Sequence, residues 1–286
     1  MSSGAARLAV LGQPIAHSKS PLLHSAAYAA LGLDWRYDRV ELSGEGLEHF
    51  IRSRDSGWRG LSLTMPLKRD VLPLLDASDP LVSLTGAANT VLFEPGAADS
   101  DGLPTRTVRG FNTDVYGVSQ ALKVAGVGKP RLVHVLGAGA TAASIIVAVG
   151  ELGARSIVIL ARTPGKAAPL VQLGESLGID VTVRPLDETG GEVPDLVASA
   201  LPGHVEHAPR FPIEVYTGSV LFDVAYDPWP SALATTWLEH GGTVVSGLEM
   251  LLHQALAQVR IFVTGSPVTV LPDEDAVFAA MRGAVA

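Results

Sequence analysis

Leu132-Val133-His134-Val135-Leu136-Gly137-Ala138-Gly139-Ala140-Thr141-Ala142 is the stretch whose reading decides the fold. Arg131–Leu136 reads as a buried strand, Ala140–Leu152 as a helix and Ser156–Leu160 as a second strand. Between strand and helix stands G-x-G-x-x-A. Gly137 permits the tight turn, Gly139 lets a pyrophosphate approach the backbone, and the small Ala142 lets helix and strand pack closely. N–H groups at the helix start then bind the phosphates. A glycine turn without a ligand is the competing interpretation, and the strand–turn–helix context counts against it. Gly137, Ala138, Gly139, Ala140 and Thr141 are thus candidate cofactor-binding residues.

The end of the second strand selects between dinucleotides. An NAD site places an acidic residue there for the ribose 2′-hydroxyl. Here the run is Leu160-Ala161-Arg162-Thr163-Pro164-Gly165-Lys166, with no acid. Arg162 suits a 2′-phosphate, Thr163 adds a hydrogen-bond donor and Lys166 a second positive charge. The expectation is NADP.

Alternation of strands and helices continues outward in both directions and predicts a mostly parallel α/β sheet. Towards the N-terminus, Arg7–Leu11, Trp35–Leu42, Gly60–Thr64 and Asn89–Phe93 read as strands. Ser20–Leu31 reads as a helix with Ser20 as N-cap, Pro21 at the first helical position and Gly32 as its stop. Glu94–Arg109 loses the apolar pattern and reads as a long surface hairpin or loop. Asp114–Ala125 resumes as a helix. Towards the C-terminus, Val181–Val183, Leu196–Ala200 and Ser219–Val224 continue the strands, with loops at Pro185–Pro194 and Pro202–Pro212. Leu248, Leu251, Leu252, Ala255, Leu256 and Val259 form one helical stripe between Gly247 and Gly265. Asp273–Arg282 is a further helix candidate.

Length and composition bound the rest. At about 150 residues per domain, 286 residues suggest two domains. A net charge of −8 argues against a nucleic-acid binder, which needs a basic face. An apolar content of 47% excludes a disordered chain. With no cysteine, thiolate chemistry and Cys-ligated metals are excluded. The N-terminus lacks a signal-peptide pattern and no apolar run is long enough to span a bilayer, so a soluble cytoplasmic protein is expected. His24, His49, His204, His207, His240 and His253 show no metal-ligand spacing, and His134 reads as a packed strand residue, so no metal is expected.

The N-terminal half sets polar residues beside apolar strands. His17-Ser18-Lys19-Ser20-Pro21 opens a helix and suits a carboxylate. Thr64-Met65-Pro66-Leu67-Lys68 puts Thr64 at a strand end and Lys68 four residues on. Ala88-Asn89-Thr90 puts an amide at a strand start, and Phe111-Asn112-Thr113-Asp114 an acid at a helix start. Singly, Lys68 reads as a surface lysine and Asp114 as a cap or first-turn acid.

In order, H-S-K-S-P, T-x-P-x-K, A-A-N-T, F-N-T-D-x-x-G, L-G-A-G, A-R-T-x-x-K, D-x-x-Y-x-P and G-x-x-M-L-x-x-Q resemble the shikimate dehydrogenases, from about Val10 to Gly265. The resemblance implies reversible NADPH-dependent reduction of 3-dehydroshikimate to shikimate, in aromatic amino-acid biosynthesis towards chorismate. It matches Lys68 and Asp114 to the catalytic pair, and Ser18 and Ser20 to the carboxylate holders. It matches Thr64, Asn89, Asp114 and Gln254 to the ring hydroxyls and Tyr226 to a further substrate contact. Val224, Gly247 and Met250 match positions near the nicotinamide. Protonated Lys68 would stabilise the oxygen charge formed on reduction and supply the proton, with Asp114 orienting it.

The implied architecture is two α/β domains with the active site in the cleft between them. Residues 1–113 plus 248–286 form the substrate-binding domain, and 114–247 the Rossmann-type NADP-binding domain. The partner is the small-molecule substrate, with no nucleic acid and no membrane, in a monomer or homodimer. The chain departs from the family at Ser62, where Asn is usual, and at Ala140, Ala161, Ser199 and Ser231. Two rivals are a quinate or dual quinate/shikimate dehydrogenase, and a non-catalytic regulator that binds NADP or a metabolite.

Overall fold

β1 (Arg7–Gly12) is apolar on both faces, with Leu8, Ala9, Val10 and Leu11 all buried, which places it inside a sheet covered on both sides. The computed structural model describes residues 5–98, 104–203, 205 and 209–286. They divide into two compact units, Met1–Thr113 with Gln254–Ala286, and Asp114–His253.

The first unit continues with α1 (Ser20–Ala30), β2 (Arg36–Glu41), α2 (Gly44–Arg52), β3 (Trp58–Leu63) and α3 (Leu67–Asp70). There follow β4 (Ala77–Ser78), α4 (Pro80–Thr85), β5 (Thr90–Ala98) and β6 (Pro104–Phe111). The strand order is β2-β1-β3-β5-β6-β4. β1 pairs in parallel with β2 and β3, whereas β5 runs antiparallel to both β3 and β6. This sheet is therefore mixed, where alternation alone predicts a mostly parallel one. The cause is the stretch Glu94–Arg109. Of the hairpin and the loop expected there, the hairpin forms: its arms are the paired ends of β5 and β6, with Glu94 opposite Thr107 and Pro95 opposite Arg106. Residues 99–103 of that stretch lie outside the described residues, as do His204 and His207.

Ser20 is not the cap of α1. The cap position is Lys19, and Ser20 is the first helical residue, its N–H already bonded to Ser18 Oγ at 3.3 Å. The core joins Leu11, Leu61, Leu63, Val91 and Phe93 of the sheet to Leu47, Ile51 and Leu67 of the helices and to Val71, which caps α3.

The second unit comprises α5 (Asp114–Val124), β7 (Leu132–Leu136), α6 (Ala140–Glu151), β8 (Ser156–Ala161), α7 (Ala168–Ser176) and β9 (Asp180–Pro185). It continues with β10 (Leu196–Ser199), α8 (Ile213–Gly218), β11 (Val220–Asp223), α9 (Ala232–Glu239) and β12 (Thr243–Ser246). All its strand pairs are parallel, in the order β12-β11-β10-β7-β8-β9. Two βαβαβ halves diverge between β7 and β10, the arrangement of a doubly wound dinucleotide-binding sheet. Trp237 is fully buried against Phe211 and Tyr216, with ring centroids 5.5 and 5.0 Å away.

α10 (Gly247–Thr264) is one continuous helix, and α11 (Glu274–Gly283) packs beside α1. The second boundary falls inside α10, between His253 and Gln254, rather than before residue 248. Gly247 is the first helical residue of α10 and Gly265, with φ +81°, ends it. β3 and α10 approach so closely at Gly60 that a Cβ there would lie 2.5 Å from the Phe262 ring and from the Val91 carbonyl.

Candidate active site

The polar residues of the first unit gather at one end of its sheet. Thr64 follows β3 and donates its N–H to Leu11 O, 2.9 Å, at the end of β1. Its own carbonyl accepts from Leu67 N, 2.8 Å, which starts the single turn of α3. Lys68 is the second residue of that turn, half-buried, and its carbonyl accepts from Ala88 N at 2.8 Å. That bond sets Lys68 beside the Ala88-Asn89 approach to β5. Asn89 in turn bridges the ends of two strands: its N–H donates to Phe111 O, 3.0 Å, and its carbonyl accepts from Leu63 N, 2.7 Å. Because β5 runs against β3 and β6, its start lies where they finish.

Around Asn89 the side chains form a buried amide cluster. Asn89 Oδ1 accepts from Thr113 N at 2.9 Å and from Thr90 Oγ1 at 2.7 Å. Asn89 Nδ2 donates to Thr113 Oγ1 at 2.9 Å and reaches Gln254 Oε1 at 3.5 Å. Two residues matched by the resemblance, Asn89 and Gln254, are thereby in contact across most of the chain. Ser18 and Ser20 are both buried at the start of α1, and the Ser18 carbonyl accepts from Arg39 Nε at 2.9 Å. His17 is exposed. Asp114 is buried as the first residue of α5.

In the second unit the expected residues follow the carboxyl ends of the parallel strands, where open α/β sheets bind ligands. Gly137 follows β7 at φ +102° and donates to Leu160 O, 2.8 Å, which only glycine tolerates without strain. Gly139 is the cap residue of α6 and offers no side chain, so the cap leaves first-turn N–H groups for an anion. A Cβ on Gly139 would meet nothing within 4 Å, so there is open space over the turn. Ala140 and Thr141 open that helix, with Ala138 before them. Arg162, Thr163 and Lys166 follow β8 and are all exposed. An uncapped helix start and exposed cations one strand away fit a dinucleotide phosphate pair and a 2′-phosphate.

Val224 and Tyr226 follow β11 and are half-buried. Gly247 donates to Ala225 O at 3.2 Å, and its missing side chain leaves the Val224 backbone room to pass. Met250 is buried one turn later.

Four further residues, to which the sequence assigns no site role, lie among these groups. Asp223, buried at the end of β11, accepts from Ser231 Oγ at 2.5 Å and from Ala225 N at 3.2 Å. Burial pushes its carboxyl upward, the Ser231 hydrogen bond opposing. Ser231 also caps α9 through Ala234 N, 3.0 Å. Thr113 and Gln258 belong to the amide cluster. For Gln258 a sequence signal existed: it stands one turn after Gln254, a second amide in a largely apolar helix. Among the described residues, no three His, Asp or Glu side chains gather as a metal-holding group, and no helix is long and apolar enough to cross a membrane.

Comparison with known proteins adds an independent line. Residues 10–91 match a family model described as the shikimate dehydrogenase substrate binding domain. A shikimate dehydrogenase (NADP(+)) of Rubrobacter xylanophilus is 36% identical over 282 residues, covering 96% of this chain and 94% of that one. Shikimate dehydrogenase of Mycobacterium tuberculosis superposes with a TM-score of 0.78 at 36% identity, covering 97% and 99% of the two chains. The Thermus thermophilus enzyme, solved in complex with NADP(H) and shikimate, gives 0.77 at 31%, covering 98% and 100%.

Proposed function

This chain belongs to the shikimate dehydrogenase family, and from that membership we propose that it interconverts 3-dehydroshikimate and shikimate with NADP(H), Lys68 and Asp114 handling the proton. The observation that carries the reading is 36% identity to a relative of that activity across 96% of the chain. The reaction is a step of aromatic amino-acid biosynthesis towards chorismate.

When bound, NADP(H) supplies the hydride chemistry. The substrate is a small anionic ring with several hydroxyls, which calls for hydroxyl and amide side chains in its pocket. Ser18 and Ser20 hold the carboxylate. Thr64, Asn89, Gln254 and Tyr226 hold ring hydroxyls. Protonated Lys68 stabilises the negative charge that builds on the C3 oxygen during reduction and gives up its proton there; in oxidation the neutral amine takes a proton back. Asp114 accepts a hydrogen bond from a substrate hydroxyl. The turn Gly137–Thr141 holds the pyrophosphate, Arg162, Thr163 and Lys166 the 2′-phosphate, and Val224, Gly247 and Met250 flank the nicotinamide.

In this reading the unit Met1–Thr113 with Gln254–Ala286 binds substrate and the unit Asp114–His253 binds the dinucleotide. The protein works in the cytoplasm as a monomer or homodimer. It binds no nucleic acid, and the net charge of −8 supports that. The test is a set of initial rates crossing shikimate and quinate with NADP+ and NAD+. Fast turnover with shikimate and NADP+ alone is expected. Preferred turnover of quinate with NAD+ would overturn the assignment.

A further inference from the structure

We propose that Gln258 is a positioning residue, which acts through Thr90 to lock the Asn89 amide with its nitrogen, rather than its oxygen, presented to a ring hydroxyl of the substrate. The inference rests on the activity proposed above. It follows from the direction of each hydrogen bond around Gln258, a side chain buried on α10.

The nitrogen and oxygen ends of a carboxamide have almost the same shape, so only their partners decide which end faces which way. Gln258 Nε2 lies 3.2 Å from the Asn89 carbonyl oxygen, which can only accept. The nitrogen end is therefore fixed on that side, where it also donates to Thr90 Oγ1 at 2.9 Å. Gln258 Oε1 faces the other way and accepts from Ser62 Oγ at 3.0 Å and from His24 Nε2 at 3.2 Å. The Tyr28 hydroxyl, 3.1 Å from His24 Nδ1, completes the ring's partners. All four bonds of the Gln258 amide thus agree on one orientation.

The consequence passes along Thr90. Its oxygen receives the Gln258 N–H, so its single O–H is directed at Asn89 Oδ1, 2.7 Å away. Asn89 Oδ1 also takes the backbone N–H of Thr113 at 2.9 Å. The Thr113 hydroxyl donates there as well, at 3.2 Å, so three donors converge on the oxygen and hold it inward, with Nδ2 towards Thr113 Oγ1 and Gln254 Oε1. Of its two N–H groups, one is held by Thr113 Oγ1 at 2.9 Å and the other reaches Gln254 Oε1 only at 3.5 Å, so the second is the donor that a ring hydroxyl takes. The same helix supplies both Gln254, which touches Nδ2, and Gln258, which governs Oδ1.

The experiment uses the full chain and two near-isosteric variants, Thr90→Val and Gln258→Met, alone and combined, with Michaelis constants for shikimate and for NADP+ measured separately. A relay predicts that either variant raises the shikimate constant about tenfold, with the NADP+ constant within about twofold, a change of roughly 1.4 kcal/mol in binding. The double variant is then no worse than either single, because both cut the same relay. Equal losses for shikimate and NADP+, an unchanged shikimate constant, or additive losses in the double variant overturn the relay. If Gln258→Met does not fold, Thr90→Val combined with Asn89→Ala completes the cycle by direct shikimate titration. Thr90→Val should then add nothing once Asn89 is gone, and an undiminished added loss overturns the relay. Absence of shikimate turnover in the unsubstituted protein would sink the activity and the relay together. Turnover in that protein with unaffected variants sinks the relay alone.

Discussion

Lys68 is a half-buried residue in a single helical turn, and nothing in its local sequence separates it from an ordinary surface lysine. Its role rests on the company it keeps, Thr64 before it and the Ala88-Asn89 segment against its carbonyl. Proton transfer by a positioned side chain is worth about 10²–10⁴-fold in rate, so Lys68→Ala should lower kcat by roughly that factor and leave the shikimate KM within a few-fold. A variant with unaltered kcat would remove Lys68 from the mechanism. Arg162 is exposed after β8 and stands where an acid would select NAD. A charge-assisted hydrogen bond contributes about 1.5–3 kcal/mol, so Arg162→Ala should weaken NADP+ by about 10–100-fold and NAD+ little. Fluorescence titration with both nucleotides would show it, and an unchanged ratio would mean that another group reads the 2′-phosphate. Arg162 was legible in sequence because a strand end and a glycine turn are local features. Asp223 and Ser231 were not, since eight residues of chain separate an acid from the hydroxyl that partners it.

Among the elements, α6 and α10 show the two limits of sequence reading. α6 was legible from its glycine turn and its apolar run between two strands. α10 was legible as a helix from its stripe, yet its buried polar residues, His253, Gln254, Gln258 and Arg260, lie off that stripe. Periodicity marks the apolar face and is silent about a helix buried on several faces. α9 depends on its cap. Ser231 Oγ accepts from Ala234 N at 3.0 Å and donates to the buried Asp223 carboxylate. Loss of a cap costs ~1 kcal/mol, and a buried acceptor left unsatisfied ~1–3 kcal/mol. Ser231→Ala should therefore lower the urea midpoint by about 2 kcal/mol in stability at unchanged m, while Ser231→Thr restores most of it. A midpoint shared by Ala and native protein would show that Asp223 does not depend on this hydroxyl.

At the scale of the whole molecule, His24 and His134, two of the three histidines buried among the described residues, tie stability to pH. Burial lowers His24 to about 3, against the hydrogen bond that its ring donates to Gln258 Oε1, which raises it. Burial lowers His134 to about 4, with Glu192 at 3.8 Å opposing the shift. Both are neutral in the folded state and titrate near 6.5 when unfolded. The unfolded chain thus binds more protons between those values, so the stabilisation is complete above pH 6.5 and is lost as pH falls towards 4, at about 1.4 kcal/mol per pH unit per histidine. Burial of Asp79 and Asp223 raises those carboxyls and acts in the opposite sense at lower pH. Thermal midpoints between pH 6.5 and 5 should fall steadily, and in His134→Leu with roughly half the slope. A flat profile in the unsubstituted protein would contradict the burial of both rings. What the sequence determined by itself is what is local: the βαβ fingerprint, the cations in place of an acid at the strand end, and the ordered motifs that identify the family. Only the tertiary structure decided that the first sheet is mixed. Only it brought together Asn89 and Gln254, 165 residues apart, and His24 and Gln258, 234 apart. The reason is physical: hydrophobic periodicity and turn chemistry act over a few residues, whereas these contacts arise where α10 comes to lie against β3 and the start of β5. That placement is set by the packing of whole elements.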